Sequence, residues 1–222
     1  MLKPRLKQVY DFLNKANHII DVGADHGYLS IALIQNKKCN LVTNIDINQK
    51  PLLSGKSNVI KLGLENKINF ILNDGLKDLK FHPLVDAISI TGMGAENIVD
   101  IIKNNINNVP KQYVVQANNN SFKIREFIKE NNYFINNEAI INENQINYEV
   151  ISFLTNQQHN LLTDIDIYIG PILKLNNDLN LRTMLINKFI KLERIVDLTK
   201  NNHIIKQYQA IKSFLNEKKW IS

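Results

Sequence analysis

Asp21-Val-Gly23-Ala-Asp25-His26-Gly27 gathers two carboxylates, an imidazole and two glycines into seven residues. The segment lies between a short apolar run and the apolar positions of a helix. Such a strand–turn–helix forms a ligand site at the carboxyl edge of a parallel sheet. Gly23 lets the backbone turn and lets a ligand approach where a Cβ would block it. Asp21 ends the apolar run, where an acid would meet a cationic ligand. A dinucleotide site wants Gly-x-Gly-x-x-Gly, with pyrophosphate on the helix N-terminus. Asp25 stands at the second glycine position, and its carboxylate repels phosphate. A Walker lysine loop is absent. These walls suit a positively charged ligand without phosphate. S-adenosylmethionine (SAM), a sulfonium with an amino group, fits. Taken alone, the stretch also reads as an ordinary turn with chance glycines.

Four further groups sit where strands end. Asp46 follows the glycine turn by about twenty residues, the place where an acid takes ribose hydroxyls; a solvated strand-end carboxylate is the alternative. Asn73-Asp74-Gly75 pairs an acceptor for an adenine amine with a glycine that admits the ring, and Asp-Gly is equally a common turn pair. Gly92-Met93-Gly94 lets backbone approach the methionine end of a cofactor. Gln116-Ala117-Asn118 offers two amides that can read a base edge. Core packing and loop hydrogen bonds are the other reading of Gln116, Asn118 and Tyr28.

The elements that must carry these groups follow a strand–helix alternation. An entry helix is expected over Lys3–Lys15. His18-Ile-Ile closes a first buried strand, and a helix carries Tyr28–Ile34. Strands follow at Asn40–Ile47, Ile68–Leu72, Val85–Thr91 and Gln112–Gln116. A helix over Pro51–Leu64 stops at Gly63, and Ser121 is placed to cap a helix over Phe122–Asn131. Asn136–Ile141 and Ile146–Leu154 alternate around Asn144-Gln145 as an antiparallel hairpin. The expected fold is an open α/β sheet of Rossmann-like type, with every candidate residue on one edge. After a polar break at Asn156–Asn160, apolar residues recur at three and four from Leu181 to Leu198 and again from Ile204 to Leu215. That pattern predicts a helical hairpin, or coiled-coil domain, over 158–222, following a sheet domain over 1–157. Its charges favour Arg182, Lys188, Lys191, Arg194, Lys200, Lys206, Lys212, Lys218 and Lys219. They serve either an RNA-contacting arm or a solvated helix face.

The 222 residues hold 27 Lys and Arg against 21 Asp and Glu, so a polyanionic partner is permitted. One cysteine, Cys39, excludes a disulfide framework and a cysteine-based metal site. No metal is expected. Neither a membrane span nor a signal peptide is evident, which points to the cytoplasm and away from membranes. The oligomeric state is open, and a monomer is compatible with this reading.

Arg5-Leu6, DVGADHGYLS, NDGL, TGMG, QAN and GPIL, followed by a helical hairpin, resemble the bacterial tRNA (adenine-22, N1)-methyltransferases across essentially the whole chain. Gly23-x-Asp25-His26-x-Tyr28-Leu29 is the most specific element. The resemblance implies a class I SAM-dependent methyltransferase sheet, a C-terminal coiled coil and tRNA as substrate. It places Asp25, His26, Asp46, Asp74, Gly75 and Gly92–Gly94 along the cofactor, beside the Asp21, Gly23 and Asn73 read above. Gly27, Ser30 and Ala117 depart from the family pattern, which bears on loop rigidity.

Absences narrow the reaction. No Asp/Asn-Pro-Pro-aromatic motif is present to polarise an exocyclic amine. Cys39 precedes the second strand, away from the ligand edge, which removes the thiolate that carbon-5 pyrimidine methylation needs. Ring N1 of adenine needs alignment more than a base. Tyr28, Gln116 and Asn118 are the candidates for holding that base, and Asp25 for supplying a favourable field. Two other functions stay open at this level: SAM-dependent methylation of a small molecule or protein, and RNA binding without catalysis.

Overall fold

The computed structural model describes residues 2–80, 85–104, 109–157, 162–176 and 178–221. Its centre is a seven-stranded sheet: β1 (His18–Val22), β2 (Leu41–Asp46), β3 (Ile68–Leu72), β4 (Ala87–Met93), β5 (Gln112–Ala117), β6 (Phe134–Glu143) and β7 (Ile146–Leu154). The spatial order is β3-β2-β1-β4-β5-β7-β6. The first five strands pair in parallel, and β7 joins β5 antiparallel. All of β1 is buried, as a central parallel strand covered on both faces requires.

Alternate side chains feed two apolar layers. Ile20, Ile88, Ile90 and Val115 pack with the helices α4 (Ala95–Lys103) and α5 (Phe122–Glu130). Ile19, Val42, Ala87 and Val114 pack with α1 (Pro4–Phe12), α2 (Tyr28–Gln35) and α3 (Gln49–Lys61). The order reverses between β1 and β4. That is the switch point where an open α/β sheet leaves a crevice beyond its strand ends.

The β6–β7 turn forms where expected, with Asn144 and Gln145 at φ +54° and +64°, the left-handed pair that a tight hairpin uses. Strand β6 begins earlier than its alternation indicates, because a register shift between Ile135 and Asn137 breaks the period. Ser121 does not cap α5. It is already helical at φ −52°, ψ −23°, and its side chain makes no cap hydrogen bond.

The C-terminal segment holds α6 (Asp164–Tyr168), α7 (Leu179–Glu193) and α8 (Asn202–Glu217). Thr163 and Asp166 cap α6 reciprocally, Asp178 caps α7 and Asn201 caps α8. Leu181, Leu185, Ile211, Phe214 and Leu215 form the core of the hairpin, shared with Ile140 of β6. Helix α7 stops at Glu193, short of the apolar period that runs to Leu198. Ile195 and Leu198 are exposed, so the period outlasts the surface available to bury it. Part of the polar break, residues 158–160, lies outside the described residues, as does the start of the expected second domain.

Buried charge joins this segment to the sheet. Arg125 of α5 donates from Nε to Glu138 Oε1 and from Nη2 to Glu149 Oε2, both at 2.7 Å. Glu138 Oε2 accepts from the backbone N–H of Ile172 at 2.9 Å. Gly170, at φ +113°, threads between them; a Cβ there would meet Glu138 Oε2 at 2.6 Å.

Candidate active site

The carboxyl ends of β1 to β4 open on one cleft of about 690 Å³. The end of β1 supplies Asp21, the turn after it Gly23 and Asp25, the start of α2 Tyr28, and the end of β2 and the residues after it Asp46, Ile47 and Asn48. Asn73, Asp74 and Gly75 come from the end of β3, and Thr91, Gly92 and Met93 from the end of β4. Arg5 and Leu6 of α1, and Asn97, Asp100, Ile101 and Asn104 on and just beyond α4, complete the wall. His26, Gly94, Gln116 and Asn118 lie off the wall.

Gly23 holds the first turn at φ +75°, with its N–H donating to Ile45 O at 2.8 Å. A Cβ there would sit 2.8 Å from Thr91 O, so only glycine lets the β1 and β4 ends approach so closely. Asp25 takes φ +35°, a region a non-glycine residue adopts at a cost, and such strain concentrates at functional turns. His26 turns away toward α3. Its Nδ1 shares a hydrogen bond with Ser54 Oγ at 2.7 Å, and Nε2 lies 3.3 Å from Asp25 Oδ1. Tyr28 is 52% exposed on the wall, with its ring tilted against His26 at 5.6 Å.

Asp21 is 2% exposed, and its Oδ1 accepts from Ser89 Oγ at 2.7 Å. Burial raises its pKa to about 7, against the Ser89 hydrogen bond and with help from the Asp46 charge. Asp46 accepts from the Asn48 N–H through Oδ1 at 2.8 Å, which leaves Oδ2 for a ligand hydroxyl. Asn73 Nδ2 donates to Gly75 O and Lys77 O at 3.1 and 3.0 Å. Its side chain thereby shapes the loop that presents the exposed carboxylate of Asp74.

Gln116 is buried beneath the β4 turn. Its Oε1 accepts from Gly92 N at 3.1 Å and from Arg5 Nη1 at 2.9 Å, and its Nε2 donates to Asn118 Oδ1 at 3.1 Å. Asn118 is exposed, and its Nδ2 donates to Gly92 O at 2.8 Å. The two amides therefore fix the Gly92 backbone at both its N–H and its C=O.

The charge pattern is uneven. Asp21, Asp25, Asp46, Asp74 and Asp100 line the cleft, and Arg5 is the only cation among the described lining residues. This donor set fits the chemistry of SAM, a cation without phosphate that also has ribose hydroxyls and an adenine amine to donate. Sequence reasoning left out Arg5 and the α4 residues as site residues. A signal for α4 exists, since Ala95, Ile98, Val99 and Ile102 recur at helical spacing directly after Gly94. No local pattern ties Arg5 to Gln116 across 111 positions. Among the described residues, no His/Cys/Asp/Glu group is arranged to hold a metal, and no helix is long and apolar enough to cross a membrane.

Comparison with known proteins agrees with this geometry. The TrmK family model, described as tRNA (adenine(22)-N(1))-methyltransferase, matches residues 19–219. The tRNA (adenine(22)-N(1))-methyltransferase of Bacillus subtilis is 31% identical over 152 residues, 68% of this chain and 63% of that protein. TrmK of M. capricolum, solved with S-adenosyl-homocysteine, superposes with a TM-score of 0.84 at 32% identity, covering 99% of this chain and 98% of that one. Streptococcus pneumoniae Sp1610, solved with S-adenosyl-L-methionine, gives 0.86 at 27% identity, covering 97% of this chain and 100% of that one. The chain belongs to the tRNA (adenine(22)-N(1))-methyltransferase family.

Proposed function

We propose that this chain transfers the methyl group of SAM to ring N1 of an adenine in tRNA, with adenine 22 as the target that the family description names. One observation carries the site assignment: the acidic cleft at the β1/β4 switch point ends at Gly92, whose peptide Gln116 and Asn118 hold. When bound, SAM supplies an electrophilic methyl on a sulfonium. Asp46 takes the ribose hydroxyls, Asp74 accepts from the adenine amine, and Ile47 packs on the ring. Asp21 and Asp25 face the positive end, with Gly23, Gly92, Met93 and Gly94 shaping the backbone around it. His26 and Asn73 act one step back, fixing the turn and the loop.

The target adenine enters between Tyr28 and Asn118. Tyr28 presents an exposed ring for stacking, and Asn118 has an amide hydrogen and a lone pair left for the base edge. Gln116 is a positioning residue: its buried amide sets Gly92 and Asn118. N1 carries an in-plane lone pair at neutral pH, so the transfer needs alignment and no general base. Holding the reacting atoms at about 3–3.5 Å supplies roughly 7–11 kcal/mol of the acceleration. The acidic wall favours positive charge before transfer and after it, when that charge has moved to the adenine. The basic residues of α7 and α8 are proposed to meet tRNA phosphates.

The test is nucleoside mass spectrometry of tRNA incubated with the protein and labelled SAM. The expected product is labelled 1-methyladenosine. Label in protein or in a small molecule, with none in tRNA, would replace this reading with one of the other methyltransferase activities.

A further inference from the structure

We propose that the projecting end of the β6–β7 ribbon wedges into the tRNA where the target adenine leaves its stack, with Ile146 filling the gap and Asn144 and Gln145 hydrogen-bonding the bases beside it. This rests on the reading of the chain as an adenine-N1 methyltransferase of tRNA. Ring N1 lies on the Watson–Crick edge, so a paired adenine is closed to the methyl group until it swings out. Extraction costs stacking, and an apolar side chain inserted between the neighbouring bases recovers part of that loss.

The ribbon stands where such a wedge is needed. Strand β5 ends at Ala117, which pairs with Glu149. Strands β6 and β7 run on past it, pairing Ile141 with Tyr148, Asn142 with Asn147 and Glu143 with Ile146. Those three pairs carry the ribbon about 10 Å beyond the β5 end, on the edge where Asn118 and the cleft open. The ribbon is braced there. Arg5 of the cleft wall holds both strands, its N–H donating to Glu143 Oε2 at 3.2 Å and its guanidinium lying 4.9 Å from the Tyr148 ring centre. Asn142 Nδ2 donates to Asn147 Oδ1 at 2.7 Å. Ile146 shares a face with Tyr148, one alternation further out, and is 53% exposed.

The chemistry of this end suits bases more than phosphates. Asn144 and Gln145 are exposed, and their side chains make no hydrogen bond among the described residues. Glu143 is occupied by the first turn of α1, and Glu149 at the base of the ribbon by Arg125. What remains open is uncharged: two amides that both donate and accept, and one aliphatic side chain. Asn147 Nδ2 reaches Asn180 O of α7 at 3.5 Å, so the surface continues onto a helix whose basic residues are proposed to meet phosphates.

Single-turnover methyl transfer by the full chain tests this on two tRNA transcripts. One is unaltered, and the other has an abasic site in place of the base that faces adenine 22, so that no pair has to be broken. Ile146→Ala should lower the rate on the unaltered transcript about tenfold or more, and on the abasic transcript by less than about threefold. Ile146→Leu keeps an apolar wedge of equal volume and should stay near wild type on both. SAM affinity, read by calorimetry, should be unchanged in each variant. The double variant Asn144→Gly, Gln145→Gly keeps the left-handed turn. It should show the same split between transcripts, and it serves if Ile146→Ala does not fold. Equal loss on both transcripts would overturn the proposal, because the ribbon would then serve only the acceptor site or the fold. An unchanged rate on the unaltered transcript would also overturn it. Wild type that binds SAM and methylates neither transcript would refute the tRNA reading itself.

Discussion

Asp21 and Ser89, neighbours across β1 and β4, meet through a 2.7 Å hydrogen bond beneath the acidic cleft. The bond supports a carboxyl that burial lifts from its ordinary value of 3.8 to about 7. Between those values the folded chain holds a proton that the unfolded chain has released. Stability should therefore fall as pH rises from about 4 to about 7 and level off above. The limiting slope is about 1.4 kcal/mol per pH unit for one proton. Chemical denaturation of wild type and Asp21→Asn between pH 5 and 8 checks this, since the variant should lack that slope. SAM affinity should rise through the same window in wild type only, because the ionised acid attracts the cationic ligand.

Asp46→Ala should weaken SAM binding at least tenfold. Each charge-assisted hydrogen bond to a ribose hydroxyl is worth about 1.5–3 kcal/mol. Calorimetry on the folded variant reads the effect, and unchanged affinity would remove Asp46 from the site.

Gln116 and Asn118 should separate by burial. Gln116→Leu removes the acceptor shared by the Gly92 N–H and Arg5 Nη1, two part-buried hydrogen bonds worth about 0.5–1.5 kcal/mol each. It should lower both the melting temperature and the methyl-transfer rate. Asn118→Ala sits at the exposed end, so it should lower the single-turnover rate with little change in melting temperature or SAM affinity. Equal loss of stability in the two variants would argue that Asn118 is only a loop fastener.

His26 should not act as a base. With both substrates saturating, the chemical step should reach a plateau once adenine N1 is unprotonated, and His26→Ala should keep that profile. A further rise in rate above that plateau that disappears in His26→Ala, with binding intact, would make His26 a working base.

The Arg125–Glu138–Glu149 cluster ties the C-terminal segment to the sheet. Arg125→Met leaves the buried Glu138 and the partly buried Glu149 without their shared cation and should remove about 3–5 kcal/mol of stability. Deleting residues 158–222 removes the Ile172 N–H that Glu138 accepts. The isolated sheet segment should therefore melt well below the full chain. A cooperative melt within a few degrees of the full chain would show that the segments are energetically independent.

The sequence by itself determined the alternation of elements and the edge on which its candidate residues gather. Short apolar runs such as Ile19-Ile20, ahead of a glycine turn and alternating with helical patterns, read as buried parallel strands, and residues at the carboxyl ends of parallel strands share one edge wherever the strands lie in the sheet. The same logic made it legible that Asp21, Asp46, Asp74 and Gly92 line one cleft. Tertiary structure decided what depends on contacts between distant positions. Arg5, Gln116 and Gly92 meet only because α1 packs across the sheet face that carries Gln116, and no local period encodes that meeting. The division of labour between Gln116 and Asn118 also depended on burial, since two amides of identical chemistry do different work on either side of a protein surface. The end of α7 was settled the same way: an apolar period states which face a helix would bury, and only the packed partner sets how far that face extends.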